Sequence, residues 1–243
     1  MRFEALASSS AGNAYIVEDK DTRILLECGI SLKKLQKLTG FSLSEIQAVL
    51  ISHEHKDHAK AVEDLLGRGM DVYMSQGTAE ALWENDEQSP SLSLGEAVKI
   101  VEAMAQFNVG SFDIVPFTTF HDAREPLGFL IKSRVDGDVL AFATDTVNLR
   151  YKFPGLNILA IEANYDKHIL ERCERLPEKV RHRITNSHME IDTLCEYLRS
   201  LDLSRCREIH LLHLSSSTSH EGHFINKVAR IVPRTVQVCA SSV

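Results

Sequence analysis

The chain has no CxxC pair, and its cysteines cannot all be paired. Five stand at 28, 173, 195, 206 and 239, and an odd, scattered set argues against a disulfide framework. They read as buried thiols of a reducing compartment. Long hydrophobic runs are missing as well. Runs such as "NILAIEA" (157–163) fall far short of the ~20 apolar residues that span a bilayer, so no membrane partner is expected. No stretch near residue 1 joins a basic start, an apolar core and a small-residue cleavage site. The expected location is therefore cytoplasmic. Excess positive charge is also lacking: 27 Lys and Arg against 34 Asp and Glu leave a net charge of -7. No global field attracts nucleic acid, although a local basic patch stays open. There is no internal repeat and no low-complexity segment.

What is present suits a folded globular protein of 243 residues, 44% hydrophobic and 25% charged. The one loop-like stretch, "ENDEQSPSLSLG" (84–95), is polar with Pro and Gly. Strand-like segments lie on both sides, so residues 1–243 are read as one domain. Strands are expected at "FEALA", "NAYIVED", "TRILLE", "IQAVLIS", "DVYMS", "AVKIVEA", "FDIVPFTTF", "NILAIEAN", "REIHLLHLS" and "TVQVC". "GFLIKSRVDGDVLAFATD" reads as a hairpin turned by Asp136-Gly137. Helices are expected at "SLKKLQKLTG", "HAKAVEDLLGRG", "GTAEALWEN", "KHILERC", "IDTLCEYLRSL" and "SHEGHFINKVARIV". Grouped strands with helices between and after give an α/β (α+β) class: two mixed sheets covered by helices on both faces.

One segment carries chemistry. In "AVLISHEHKDHAKAVEDLL" (48–66), an apolar strand runs straight into three histidines and an aspartate. His53 and His55 are two apart, so in extended chain they project to one side. Asp57 and His58 open the next helix and can face the same volume, which suits a pair of divalent ions about 3.5–4 Å apart. Chance places His-x-His-x-Asp-His in such a chain roughly once in a thousand, a low false-positive risk for a motif. A zincin helix is excluded, because His53-Glu54 would need a histidine where Asp57 stands. Two ions need more donors, and three further apolar runs end in them: "IVPFTTF" in His121, "VLAFAT" in Asp145, "EIHLL" in His213. His53, His55 and His121 can close one site, Asp57, His58 and His213 the other, with Asp145 bridging. Such an N/O shell suits zinc or manganese, with iron open. His210 lies three before His213 and faces the opposite way. His168, His182, His220 and His223 read as surface or structural.

His-x-His-x-Asp-His after a strand, with His, Asp and His at later strand ends, resembles the metallo-β-lactamase superfamily across nearly the whole chain. "LASSSAGNAYIVE", "ILLECGIS", "ITNSHMEID" and "LLHLSSST" are similar to local segments of its YycJ/WalJ-like branch. The resemblance implies a four-layer αβ/βα sandwich and a nuclease or phosphodiesterase, with exonuclease action on nucleic-acid ends. It also implies that His188, at the start of a helix, is an active-site histidine outside the ligand set. Glu27 stands where that family has an aspartate that orients a metal-bound histidine, and Ser215 falls where the family touches substrate.

The chemistry expected is hydrolysis. Two divalent ions bring a shared water toward ionisation at neutral pH, Asp57 and Asp145 steer it, and His188 protonates the leaving oxygen. Ser8, Ser10, Gly12 and Asn13 of "SSSAGN" offer hydroxyls and N–H groups to a substrate anion, or form a plain turn. The partner expected is a phosphodiester, including nucleic-acid ends; a homo-oligomer is left open. The alternative on the same site is hydrolysis of a thioester, lactone or β-lactam.

Overall fold

Apolar alternation and turn chemistry resolve into two sheets in the computed structural model, which describes residues 1–84, 97–232 and 235–239. The first sheet sets β1 (Arg2–Ala7), β2 (Ala14–Glu18), β3 (Arg23–Leu26), β4 (Ala48–Leu50), β5 (Val72–Met74) and β6 (Val98–Ile100) side by side in chain order. The second holds β7 (Phe107–Val109), β8 (Phe112–Thr118), β9 (Leu127–Ser133), β10 (Val139–Ala143), β11 (Ile158–Glu162), β12 (Glu208–Leu212) and β13 (Thr235–Val238), also in order. Each sheet starts antiparallel and turns parallel, at β3–β4 in the first and β10–β11 in the second. Parallel neighbours need crossovers. Helices α1 (Leu32–Leu38), α2 (Lys56–Ala59), α3 (Val62–Leu66) and α4 (Gln76–Trp83) lie in those of the first sheet. Helices α5 (Lys167–Arg172), α6 (Glu178–Ser187), α7 (Ile191–Ser200) and α8 (Glu221–Ala229) lie in those of the second.

Strand parity sorts the core into three layers. Ile24, Leu26, Ala48 and Leu50 of the first sheet meet Phe112, Phe129, Leu140, Phe142 and Ile158 of the second. Their neighbours point the other way. Leu25 and Val49 pack with Leu35 of α1 and Leu65 of α3. Ala141, Leu159, Ile161, Ile209 and Leu211 pack with Leu194 and Leu198 of α7 and Phe224 of α8. Strands buried on both faces read as unbroken apolar runs rather than alternating ones, which is why "VLAFA" and "ILAIE" look as they do. Each fully buried Leu, Ile or Phe contributes about 1.5–3 kcal/mol. The result is a helix–sheet–sheet–helix sandwich, as expected. No helix among the described residues is long and apolar enough to cross a membrane.

Three local expectations fail. The helix expected from His58 onward is two short ones. Its Asp57 carbonyl accepts from the Asn13 amide at 2.8 Å, its His58 carbonyl from the Cys28 amide at 2.8 Å, and the Ala61 amide donates to the Cys28 carbonyl at 3.0 Å. Tertiary partners thus take the groups that would carry the helix across Lys60 and Ala61. Helix α6 was not expected at all, because Ser187 is the one residue it buries and no apolar stripe announces it. His188 accordingly follows a helix, in extended backbone (φ -131°, ψ 157°), instead of starting one. The β7–β8 hairpin, turned at Gly110 with φ +50°, was also missed. Residues 85–96, most of the expected loop, lie outside the described residues. The cysteines are free thiols, with Cys173 alone partly exposed.

Candidate metal centre

Each expected ligand stands just past the end of a strand, or one step beyond in α2. His53 and His55 follow β4, His121 follows β8, Asp145 follows β10 and His213 follows β12. Asp57 and His58 sit in α2. The fold brings all seven together. His53, His55 and His121 form one group, Asp57, His58 and His213 a second, and His53, His58 and Asp145 a third, with donor atoms in each within 4.8 Å of one another.

The first group is a triangle of ring nitrogens. His55 Nδ1 lies 3.1 Å from His53 Nε2 and 3.1 Å from His121 Nε2. A tetrahedral ion with bonds near 2.0–2.1 Å places its ligand nitrogens about 3.3 Å apart. The His121 ring is set by Nδ1–H, which donates to the Ser187 carbonyl at 2.7 Å, so its Nε2 presents a lone pair to the triangle. In the second group Asp57 Oδ2 lies 3.5 Å from His58 Nε2 and 3.4 Å from His213 Nε2. Asp145 faces both groups: Oδ1 is 3.4 Å from His58 Nε2, and Oδ2 is 3.5 Å from His121 Nε2.

Backbone strain marks the same places. Glu27, Asp145 and His213 are non-glycine residues with φ of +62°, +41° and +52°. Each lies one or two residues beyond its strand, and left-handed backbone costs roughly 1–2 kcal/mol per residue. Such outliers persist where packing over-determines them, commonly at functional sites.

The electrostatics divide the centre in two. Burial pushes His53 well below the usual histidine range, so it favours the neutral form that ligates metal. Burial opposes charge on His213 too, but Asp145, Asp57 and Glu162 outweigh it and lift its pKa to about 10. His58 is raised in the same way, by Asp145, Asp57 and Glu27 against burial. Asp145 resists burial because His213 and His58 hold it ionised. The residues fit a pair of divalent ions on two counts. Three nitrogens converge at 3.1 Å with one of them shared, and His213 Nε2 is buried without a hydrogen-bond partner, beside carboxylates whose charge would favour a divalent ion in place of the ring's proton.

Around this core, Glu27 is fully buried, 3.5 Å through Oε2 from His58 Nδ1, and it accepts from the Ser52 amide at 3.2 Å. His188 Nδ1 donates to Glu162 Oε1 at 2.6 Å and lies 3.9 Å from Asp145 Oδ2. Glu162, the last residue of β11, was missed in the sequence, although the strand-end rule that found His121, Asp145 and His213 applies to it. It also accepts from the Thr146 and Met189 amides and lies 3.3 Å from His213 Nδ1. The "SSSAGN" loop divides. Ser8 is buried between Tyr15 Oη and the His213 amide, at 2.7 and 2.9 Å. Asn13 is buried with Nδ2 3.1 Å from the Asp57 carbonyl and 3.1 Å from His58 Nε2. Burial turns these two inward, against the substrate contact expected of them, whereas Ser10 is exposed. Gly12 makes the turn at φ +151°, where a Cβ would meet the Gly29 carbonyl at 2.6 Å. Ser215 lies beyond His213, its amide bonded to the Asn164 carbonyl at 2.9 Å.

Buried histidine and aspartate clusters on one rim of a four-layer sandwich define a metal-dependent hydrolase of the metallo-β-lactamase fold. The chain belongs to the beta-lactamase superfamily, whose domain profile matches residues 22–211. It is 29% identical over 230 residues to Exodeoxyribonuclease WalJ of Streptococcus pneumoniae serotype 2, covering 90% of this chain and 83% of that one. It is 27% identical over 231 residues to Exodeoxyribonuclease YycJ of Bacillus anthracis, covering 88% and 83%. Among solved structures, the metallo-beta-lactamase fold protein YhfI from Bacillus subtilis shares the fold with a TM-score of 0.72 at 16% identity, over 98% of this chain and 96% of its own.

Proposed function

We propose that this protein is a dinuclear phosphodiester hydrolase acting on nucleic-acid ends. The observation that carries the reading is Asp145, which turns one oxygen toward each of two donor clusters and lies 3.9 Å from a histidine held by its own carboxylate. In this reading His53, His55 and His121 would hold one ion and Asp57, His58 and His213 the other, with Asp145 available to both. When bound, zinc or manganese supplies Lewis-acid charge to the phosphoryl group and makes water reactive near neutral pH. The protein supplies the rest. Glu27 orients His58 and the Ser187 carbonyl orients His121, which limits reorganisation at the moment of reaction. His188, kept protonated by Glu162, donates to the departing oxygen, a step worth typically 10²–10⁴-fold. Ser10, the turn at Gly12 and Ser215 contact the substrate at the rim, while Ser8 holds the His213 amide and Asn13 the Asp57 carbonyl.

Two exodeoxyribonucleases aligned over nine-tenths of the chain support a phosphodiester over a carbonyl substrate. The test measures metal content and turnover of a 5′-phosphorylated oligonucleotide, bis-p-nitrophenyl phosphate and a thioester. The expected result is hydrolysis of the first two by wild type and loss of both metal and activity in His55→Ala. Turnover confined to the thioester, or equal phosphodiesterase activity in His55→Ala, would overturn the reading.

A further inference from the structure

Phe120 immediately precedes His121 in the loop that leaves β8, and it is 40% exposed beside a buried centre. A single exposed aromatic is ordinary; this one is fixed and partnered. Its amide donates to Thr146 Oγ1 at 3.0 Å, and its carbonyl accepts from the Val147 amide at 2.9 Å. Both partners lie in the loop that follows Asp145, so the backbone that carries the ring is tied to a second ligand-bearing segment. The Arg150 guanidinium lies over the ring, 5.2 Å from its centroid, and has no carboxylate partner among the described residues. Beyond His121, Asp122 accepts from Arg183 Nε of α6 at 2.9 Å and reaches His121 Nε2 at 3.2 Å. A chain of net charge -7 thus holds two arginines on the segments that touch the His121 loop.

We propose that Phe120 and Arg150 form a stacking platform for one unpaired base beside the hydrolytic centre. Resting on the phosphodiesterase reading above, this makes the substrate a single-stranded nucleic-acid end. Every base has a flat π-face that aromatic rings and guanidinium planes accept without reading its identity. Paired bases keep their faces stacked on neighbours, so the platform selects for unpaired ends. A base on Phe120 sits one residue from a ligand.

The test uses metal-loaded protein and a single-stranded oligonucleotide with hydrolysis-resistant phosphorothioate linkages and a 5′-terminal 2-aminopurine. Wild type should quench the fluorophore on binding, the signature of stacking. Phe120→Leu, which keeps the bulk, and Phe120→Ala should both lose the quench and bind about 5- to 150-fold more weakly. Phe120→Trp should keep both, and Arg150→Ala should weaken both. On a strand abasic at the terminal position, wild type and Phe120→Leu should bind alike. Undiminished quenching in Phe120→Leu, or an equal loss on the abasic strand, overturns the platform. Stacked binding without hydrolysis of a normally linked strand would sink the phosphodiesterase reading and leave the platform standing.

Discussion

His121 and His188 lie 5.2 Å apart, ring centre to ring centre, and their anchors differ in charge. His121 Nδ1–H meets a neutral carbonyl, which leaves the opposite nitrogen with a lone pair. His188 Nδ1 meets the Glu162 carboxylate. Burial pulls its pKa down, but Glu162 and Asp145 outweigh burial and raise it above the ordinary value. One ring is prepared to bind a cation, the other to carry a proton. His188→Ala should therefore retain both metals by elemental analysis and lose turnover by about 10²–10⁴-fold; metal loss would make it a ligand instead. The sign of the pH effect follows. A raised pKa keeps the acid protonated to higher pH, so activity is full below it and lost as pH rises through it. Glu162→Gln removes the largest raising influence. Its alkaline limb in kcat/KM should shift to lower pH, and an unmoved limb would show that His188 is not the acid.

At the scale of elements, the site depends on how closely segments approach behind it. Gly29 packs against the start of the split helix: a Cβ there would fall 1.6 Å from the Asp57 carbonyl oxygen, and backbone cannot give way cheaply. Gly29→Ala should lower the melting temperature, with a cost above the usual 1–3 kcal/mol of overpacking, and weaken metal binding by displacing Asp57 and His58. Gly222→Ala in α8 meets only His220 ring atoms, at 3.7 and 3.9 Å, and should melt no lower. The same element shows what sequence can carry. His53, His55, Asp57 and His58 were legible because an apolar run stops at a polar cluster, and His121, Asp145 and His213 because apolar strands end in donors. Glu162 was hidden inside "NILAIEAN", which reads as one apolar strand through Asn164, whereas β11 ends at Glu162. The break between α2 and α3 was invisible because Asn13 and Cys28 impose it from 30 or more positions away. Helix α6 lacked a stripe because it leaves Val180 exposed. Local pattern reports burial; it does not report hydrogen bonds supplied by distant chain.

Across the whole molecule, the donors come from both sheets. His53, His55, Asp57 and His58 follow β4 of the first sheet, and His121, Asp145 and His213 follow strands of the second. Cations at the rim would therefore add to the apolar interface and the hydrogen bonds, such as Leu127 amide to Ser52 carbonyl at 2.9 Å, that already join the two layers. Binding to the folded state alone adds stability as RT ln(1 + [L]/Kd), about 2.7 kcal/mol at a hundredfold excess over Kd. For a chain of this size each kcal/mol moves the melting temperature by about 2–4 °C. Chelated protein should thus gain about 5–10 °C when zinc or manganese is restored. Asp145→Ala should lose most of that gain, because Asp145 faces both clusters, whereas Ser10→Ala on the rim should keep it. A melting temperature indifferent to divalent ions in wild type would mean that the seven donors do not bind across the two sheets, whatever their distances.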